Sequence, residues 1–314
     1  MTALRVFSQL PEPFTAAIAG GVAGIDVTHI PRGVPDTLPD DARILIAAPF
    51  SRPGDLPARR PAGWPYNIDW VQLVSVGIDF YPPWLFEGPV VTTARGSSSL
   101  ALAEFALAAI LAHAKRLPDI WIDSPDRWAS TPLAAVAGTT LGIVGFGSIA
   151  EALAPRAQAL GMNVIATRRT DTAFPTPGIT RVDTDTLFAT ADHVVLAAPL
   201  TEHTRHLVDA RRLALAKPGQ HIVNIARGGL IDDDALLAAL DSGHIGGATL
   251  DVTHPEPLPA GHRYYNHAKV RLSPHTSVAT PDTHAALALG FSDNVDRYRA
   301  GIALANIVDL SRGY

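Results

Sequence analysis

Short apolar and β-branched runs alternate with turn residues through the first 95 positions of the chain. This pattern predicts strands at residues 4–7, 25–30, 43–47, 71–76 and 90–93. The segments between these runs are rich in proline, so helices are only weakly indicated there. Such an alternation is typical of a small α/β domain.

A long apolar segment follows at residues 98–116 and predicts a helix with Ala or Leu on almost every face. A helix that is apolar all round must be buried on all its sides. Two environments meet this requirement, a bridge between two domains and a subunit interface. The pattern does not choose between them.

A clearer series of strands and helices begins near residue 139. Strands are predicted at residues 139–144, 163–167, 192–198, 221–225, 247–250 and 270–272. Helices are predicted at residues 148–160, 233–241 and 281–302. The strands are largely apolar, as expected for a parallel sheet that helices cover on both faces.

A glycine-rich turn lies within this series. The chain from Leu141 to Ala150 contains a strand, a G-x-G-x-x-A turn and the start of a helix. Gly145 permits the tight turn, and Gly147 lets the backbone approach a pyrophosphate. The N–H groups at the helix start then hold phosphate oxygens, aided by the helix dipole. This context favours a dinucleotide-binding site over a turn that merely packs.

The end of the second strand bears on which dinucleotide is bound. An acidic residue there would bind the ribose 2′-hydroxyl of NAD. The chain instead has Arg168 and Arg169, and a guanidinium can pair with a 2′-phosphate through two hydrogen bonds. We therefore expect NADP(H) to be favoured over NAD(H). The alternative is that both arginines are solvated loop residues.

Three polar residues follow predicted strands and suit the reduction of a 2-keto acid. The guanidinium of Arg227 could clamp a carboxylate, and the imidazole of His275 could protonate a carbonyl oxygen. Glu256 could hold that imidazole in one tautomer. Each residue taken alone is more often a surface residue, and the chain has 12 histidines. All three residues, however, come after the dinucleotide-binding turn in the chain and follow strands. Because ligands bind beyond the carboxyl ends of parallel strands, this shared position is the argument for a joint site.

Composition narrows the classes of partner. The net charge is −5 at pH 7 and no block of Lys or Arg occurs, which argues against nucleic acid and anionic membranes as partners. Cysteine is absent, which excludes disulfides and thiolate metal sites. The apolar stretch at 100–112 is too short to span a bilayer, and residues 1–11 lack the pattern of a signal peptide. We expect a soluble, cytoplasmic protein without a metal.

The motifs together resemble the D-isomer-specific 2-hydroxyacid dehydrogenase family, and the similarity covers nearly the whole chain. The resemblance rests on Ser75-Val76-Gly77-Ile78-Asp79, Ala103-Glu104, the glycine-rich turn, Ala198-Pro199-Leu200-Thr201-Glu202-His203-Thr204, Ala226-Arg227-Gly228, Asp251, Glu256-Pro257-Leu258-Pro259 and Pro274-His275-Thr276-Ser277. One departure from the family pattern is Arg168, where an acidic residue is usual.

The resemblance implies two Rossmann-like or flavodoxin-like domains with doubly wound parallel sheets. A dinucleotide-binding domain at residues 96–280 would be inserted into a substrate-binding domain made of residues 1–95 and 281–314. The active site would lie in a cleft between the domains that closes by hinge motion. The apolar helix near residue 100 would form much of a homodimer interface.

The resemblance also implies roles for individual residues. The backbone N–H groups of Val76 and Gly77 would bind the substrate carboxylate together with Arg227. Asp251 would contact the nicotinamide amide. The remaining cofactor contacts would come from Gly145, Gly147, Ser148, Ile149, Arg168, Arg169, Pro199, Thr204, Ala226 and His275. Arg227, Glu256 and His275 would be catalytic, in a reductase of the glyoxylate or hydroxypyruvate type.

The sequence admits two other interpretations. A nucleotide-sensing, non-catalytic binding protein of the corepressor type is the alternative, but the intact Arg, Glu and His argue for the enzyme. A short-chain dehydrogenase would need Tyr-x-x-x-Lys within a helix. That spacing occurs at Tyr265 and Lys269, but in a short polar segment that runs into a strand, so we reject it. The side group of the acid is not readable from the sequence, although the loops at 48–50 and 80–84 would contact it.

Overall fold

The computed structural model describes residues 3–35, 37–50 and 56–310. The chain divides into two compact units, one of residues 1–98 with 280–314 and one of residues 99–279. Each unit has one sheet, and every pairing between the named strands is parallel. The predicted fold class, α/β with two parallel sheets, is confirmed.

The elements alternate along the chain in both units. The strands are β1 Leu4–Ser8, β2 Ile25–His29, β3 Ile44–Ala47, β4 Trp70–Leu73, β5 Val90–Thr92, β6 Thr140–Val144, β7 Asn163–Thr167, β8 Ile179–Arg181, β9 His193–Leu196, β10 Gln220–Asn224, β11 Ile245–Leu250 and β12 Val270–Leu272. The helices are α1 Glu12–Gly21, α2 Ser99–Ala114, α3 Ser148–Ala159, α4 Thr184–Thr190, α5 Ala210–Leu215, α6 Asp233–Asp241 and α7 Pro281–Arg299.

The sheet of the first unit has the order β2-β1-β3-β4-β5 and an apolar core on each face. Successive strand residues alternate between the two cores, as the period of two requires. Val6 belongs to the core that includes Phe291 of α7, whereas its neighbour Phe7 belongs to the other. Trp70 is fully buried and stacks on Phe291 with ring centroids 5.1 Å apart. The C-terminal helix thereby completes the unit that begins the chain.

The sheet of the second unit has the order β12-β11-β10-β9-β6-β7-β8. The chain starts in the middle at β6, builds outward to β8, and then returns to β9 on the other side. The order therefore reverses between β6 and β9. In open parallel sheets the crevice beyond the carboxyl ends at such a reversal is where ligands bind.

Four elements of the structure were not predicted from the sequence: α1, β8, α4 and α5. The prolines around α1 obscured a usable signal, because Phe14, Ile18 and Val22 are spaced by four and line the core. Proline at the first helical turn is tolerated, since no intrahelical hydrogen bond is lost there. α4 and α5 are short, but each begins at an aspartate cap, Asp183 or Asp209, whose carboxylate accepts a first-turn N–H.

Within one chain the apolar helix α2 is buried on one face only, so its burial on all sides by a domain bridge or a subunit interface stays a prediction. It packs against α3 and β10 with the face that carries Ala103, Ala106 and Ile110, which are all fully buried. Leu100, on another face, is 41% exposed. The reason is that one chain covers only one side of this helix. Among the described residues, no helix is both long enough and apolar enough to cross a membrane.

Candidate active site

The glycine-rich turn connects β6 to α3 at the sheet reversal. Gly145 has φ of +91°, and a Cβ there would lie 2.8 Å from the Cα of Ala198, so only glycine fits. The Gly145 N–H donates to the Thr167 hydroxyl oxygen at 3.2 Å. This hydrogen bond ties the turn to the end of β7, where the ribose of a dinucleotide is expected.

The start of α3 suits a pyrophosphate. Gly147 is the N-terminal cap residue and supplies no side-chain oxygen to the first-turn N–H groups. Ser148 and Ile149 begin the helix and are half-buried. Amides at such a terminus bind anions through direct hydrogen bonds and the helix dipole. These residues therefore fit the phosphates of a dinucleotide.

The loop after β9 borders the glycine-rich turn, since Ala198 lies directly against Gly145. Thr204 closes this loop on itself. Its hydroxyl donates to the Pro199 carbonyl at 2.7 Å and accepts the Thr201 N–H at 2.7 Å. Pro199 and Thr204 are thus held together on the side of the reversal opposite β7.

The two predicted phosphate-binding arginines follow β7 directly. Arg168 is partly exposed, and its Nη1 donates to the Ala173 carbonyl at a long 3.4 Å. Arg169 is exposed. The same loop contains an ion pair that the sequence did not indicate, between Asp171 and Arg181 at 2.7 Å.

The turn after β10 presents Arg227, and the buried Asn224 shapes that turn. The Asn224 amide donates to the Arg227 carbonyl at 2.9 Å and accepts the Ala226 N–H at 3.1 Å. The Arg227 guanidinium is half-buried and donates to the Ala226 carbonyl at 2.7 Å. Asn224 is a positioning residue that the sequence analysis did not single out. Its signal was a polar side chain directly after the apolar pair Ile222-Val223 at the end of the strand.

Close backbone packing brings the Arg227 turn to the loop that carries Glu256. A Cβ at Gly228 would lie 2.0 Å from the carbonyl carbon of Thr253, so the two backbones touch. The Thr253 N–H in turn donates to Oε1 of Glu256 at 3.0 Å. The structure therefore assembles two segments that lie some thirty residues apart in the sequence.

Glu256 and His275 form a direct pair. Oε2 of Glu256 lies 2.8 Å from Nδ1 of His275, and the two side chains are 29% and 30% exposed. A carboxylate can only accept, so Nδ1 carries the proton of this hydrogen bond. Glu256 is itself fixed by the Thr253 N–H, which leaves the imidazole in one tautomer and one orientation.

A buried carboxylate holds the turn that carries His275. Asp251 is 1% exposed, and its Oδ1 accepts the Ser273 hydroxyl at 2.6 Å and the Thr276 N–H at 2.9 Å. Its Oδ2 accepts the N–H of Ser277 at 3.2 Å and also the Ser277 hydroxyl. The His275 N–H donates to the Asp251 carbonyl at 2.8 Å. The predicted contact of Asp251 with a nicotinamide amide stays a prediction, whereas its hold on the His275 turn is observed.

The turn expected to bind a substrate carboxylate follows β4 in the first unit. The Ser75 hydroxyl donates to the Gly77 carbonyl at 2.7 Å, which closes the turn. Val76 is 38% exposed. The Ser75 hydroxyl also lies 3.2 Å from that of Tyr81, whose burial raises its pKa to about 12 and keeps the phenol neutral.

The second unit matches a known family model. The model for "D-isomer specific 2-hydroxyacid dehydrogenase, NAD binding domain" matches residues 107–277. A D-isomer specific 2-hydroxyacid dehydrogenase from Xanthobacter autotrophicus Py2, solved with NADPH and MES, is similar over 100% of both chains. Its TM-score is 0.80 at 28% sequence identity.

Two curated relatives extend the comparison. Glyoxylate reductase of Thermococcus litoralis is 35% identical over 239 residues, which are 71% of this chain and 70% of that protein. D-3-phosphoglycerate dehydrogenase of Synechocystis sp. is 33% identical over 247 residues, which are 75% of this chain but only 44% of that protein. This chain thus spans less than half of the longer relative. The family model and these relatives show that the chain belongs to the D-isomer-specific 2-hydroxyacid dehydrogenase family.

Proposed function

We propose that the chain is a reductase that converts small 2-keto acids to D-2-hydroxy acids with NADPH. The observation that carries the proposal is the 2.8 Å pair of Glu256 and His275 in the same unit as the glycine-rich turn. A relative named glyoxylate reductase and one named hydroxypyruvate reductase support substrates of this class. Family membership supports a nicotinamide cofactor.

The bound cofactor would supply the hydride, and side chains of the protein would stabilise the charges on the substrate. Nε2 of His275 donates a proton to the carbonyl oxygen as that oxygen gains negative charge. Glu256 holds the ring and stabilises the imidazolium before the transfer. Arg227 pairs with the substrate carboxylate through its planar guanidinium. Binding of that carboxylate by the Val76 and Gly77 N–H groups stays a prediction.

Turnover tests the proposal directly. The absorbance of NADPH is followed with glyoxylate, hydroxypyruvate, pyruvate and phenylpyruvate, each alone. We expect oxidation of NADPH with at least one of these acids. If none of the acids causes NADPH oxidation although NADPH binds tightly, the result would instead support a nucleotide-sensing protein.

The preference for NADPH rests on Arg168 and Arg169, which follow β7 where NAD enzymes have an acid. The relative from Xanthobacter, solved with NADPH, agrees with this. Arg168→Asp should lower the NADPH-to-NADH ratio of kcat/KM by about tenfold or more, since it removes a charge-assisted bond and adds a repulsion. Arg263→Asp, at an exposed arginine paired with Asp241, is the matched control. An unchanged ratio in Arg168→Asp contradicts the 2′-phosphate argument.

We also propose that the chain forms a homodimer through α2 and the segment after it. This segment returns to the end of α2, where the Ala134 N–H donates to the Ala114 carbonyl at 3.0 Å. It exposes 65% of Trp121 and 83% of Trp128, and α2 itself exposes 41% of Leu100. Exposed apolar groups of this size mark association surfaces. Sedimentation should give twice the chain mass for the native protein and the single mass after Trp128→Lys. A native protein that sediments as a monomer refutes the dimer.

A further inference from the structure

Arg181 ends β8 and lies beside the loop that follows β7. The parallel register places Arg181 opposite Ala166, two residues before Arg168. Its guanidinium donates to the Thr170 carbonyl at 3.0 Å, to Oδ1 of Asp171 at 2.7 Å, and to the Thr172 carbonyl. One arginine thus holds three consecutive residues of the loop.

The same guanidinium connects this loop to the glycine-rich turn. It lies 5.1 Å from the ring centroid of Phe174, a cation–π distance. The Phe174 ring lies 4.3 Å from that of Phe146, the residue between Gly145 and Gly147. Arg181 therefore fixes the path of the loop between the pyrophosphate turn and the end of β7.

Asp171 is the single acidic residue in the segment 168–180, and it lies three residues beyond Arg168. A carboxylate at this end of a Rossmann sheet favours the ribose 2′-hydroxyl of NAD and repels a 2′-phosphate. The Asp171 side chain is fully exposed, so its own loop does not bury it. Its ion-pair partner is Arg181, whose side chain is only 31% exposed and has further partners on the loop.

We propose that Arg181 determines selectivity for the 2′-phosphate by holding Asp171 away from the ribose and compensating its charge. This proposal rests on the proposed NADPH preference and assigns part of that preference to a residue outside the Arg168–Arg169 pair. Arg181 acts through Asp171 and is a positioning residue. Removing Arg181 alone leaves an uncompensated carboxylate beside the phosphate site, and removing both residues eliminates that repulsion.

Ligand binding without turnover tests the proposal. Calorimetry measures the dissociation constants of 2′-phospho-ADP-ribose and ADP-ribose for the native chain, Arg181→Gln, Asp171→Asn and the double variant. Arg181→Gln should weaken the binding of 2′-phospho-ADP-ribose by about fivefold, which is the range of one exposed charge interaction. The binding of ADP-ribose should stay unchanged or become tighter. Asp171→Asn should bind both ligands like the native chain or favour the phosphate further. The double variant should return to within about twofold of the native ratio.

Arg263→Gln is the matched control, because Arg263 forms an ion pair of the same length with Asp241 at 2.7 Å. It should change neither constant. Equal weakening of both ligands by Arg181→Gln would mean that Arg181 only maintains the loop, and would overturn the proposal. A selective loss that Asp171→Asn does not reverse would mean direct contact with the phosphate, and would also overturn it.

A failure of the proposed NADPH preference is distinguishable from these results. In that case the native chain itself binds ADP-ribose as tightly as 2′-phospho-ADP-ribose. The chain then has no selectivity for the 2′-phosphate that Arg181 could determine, and both proposals fail together. If the native chain prefers the phosphate but the double variant does not recover, the proposal on Arg181 fails alone.

Discussion

His275 has a backbone φ of 51°, in the left-handed region that non-glycine residues seldom adopt. This conformation costs about 1–2 kcal/mol, so the surroundings must hold it. The carboxylate of Asp251 does so by accepting hydrogen bonds from residues on both sides of the histidine. The strain is thus located at the residue proposed to transfer the proton.

Replacement of His275 tests its role as the acid. His275→Ala should lower kcat by at least about 100-fold, the low end for a lost general acid, while NADPH still binds. Steady-state kinetics and a cofactor titration measure the two effects. His267→Ala is the matched control, because His267 also pairs with a carboxylate, Asp241, but precedes β12, whereas His275 follows that strand. Near-native rates in His275→Ala remove this residue from the mechanism.

The serine after the histidine turn gives a subtler test. Ser277→Ala removes the hydroxyl that donates to Asp251 and loosens the turn that carries His275. We expect kcat to fall about tenfold with little change in the KM for NADPH, because small displacements of a reacting group are costly. Ser277→Thr, which keeps the hydroxyl, should restore most of the rate. A fall that Ser277→Thr does not rescue points to a packing defect instead.

At the scale of elements, the turns after β6 and β10 depend on close backbone contacts. Gly228→Ala places a methyl group into the Thr253 backbone and should destabilise the protein by about 2 kcal/mol, the typical cost of overpacking. Activity should fall with stability, because the same contact joins the Arg227 turn to the Glu256 loop. Urea unfolding and kinetics measure the two effects.

Gly20 offers the matched control for that substitution. It lies in α1, and a Cβ there would meet no atom within 4 Å. Gly20→Ala should therefore leave activity unchanged and stabilise by about 0.5–1 kcal/mol, through the better helix propensity of alanine. Equal effects of the two substitutions would contradict the role of the Gly228 contact.

At the scale of the whole molecule, a cluster of two buried histidines and one half-buried histidine links stability to pH. His113 of α2 stacks on His221 of β10 at 4.1 Å, and His193 of β9 meets His221 edge-on at 5.7 Å. Burial lowers the pKa of all three, that of His193 to about 4. The neighbouring charges are Asp192, which raises the pKa of His193, and Arg271, which lowers that of His113.

The sign of the pH effect follows from neutral histidines in the folded state. The unfolded chain takes up protons on its histidines below a pH of about 6.5, whereas His193 of the folded chain does not until near pH 4. The contribution of the neutral histidines to the free energy of unfolding is therefore complete above a pH of about 6.5, and it is lost as the pH falls toward 4. His193 alone should account for about 2 kcal/mol between pH 8 and pH 5.

Urea unfolding at pH 8 and at pH 5 measures this loss. His193→Gln should reduce the difference between the free energies of unfolding at the two pH values by about 2 kcal/mol, since the glutamine does not titrate. His29→Gln, at an exposed residue of β2, should leave the difference unchanged. An undiminished difference in His193→Gln would show that other groups cause the acid sensitivity.

The sequence by itself determined what depends on short-range pattern. Apolar periodicity indicated most strands and the helices α2, α3, α6 and α7, and the strand–turn–helix context identified Gly145 and Gly147. Residues at strand ends pointed to Arg227, Glu256 and His275. These features could be read because a period, a turn and a strand end each involve neighbours along the chain.

Only the tertiary structure decided which side chains meet. The pairing of Glu256 with His275, the hold of Asp251 on Ser277, and the capture of Asp171 by Arg181 join residues that loops of ten to about twenty-five residues separate. The contact of Gly228 with Thr253 and the stacking of the buried histidines belong to the same class. Such contacts depend on strand order and loop closure, which bring distant segments together in a way that local periodicity does not record.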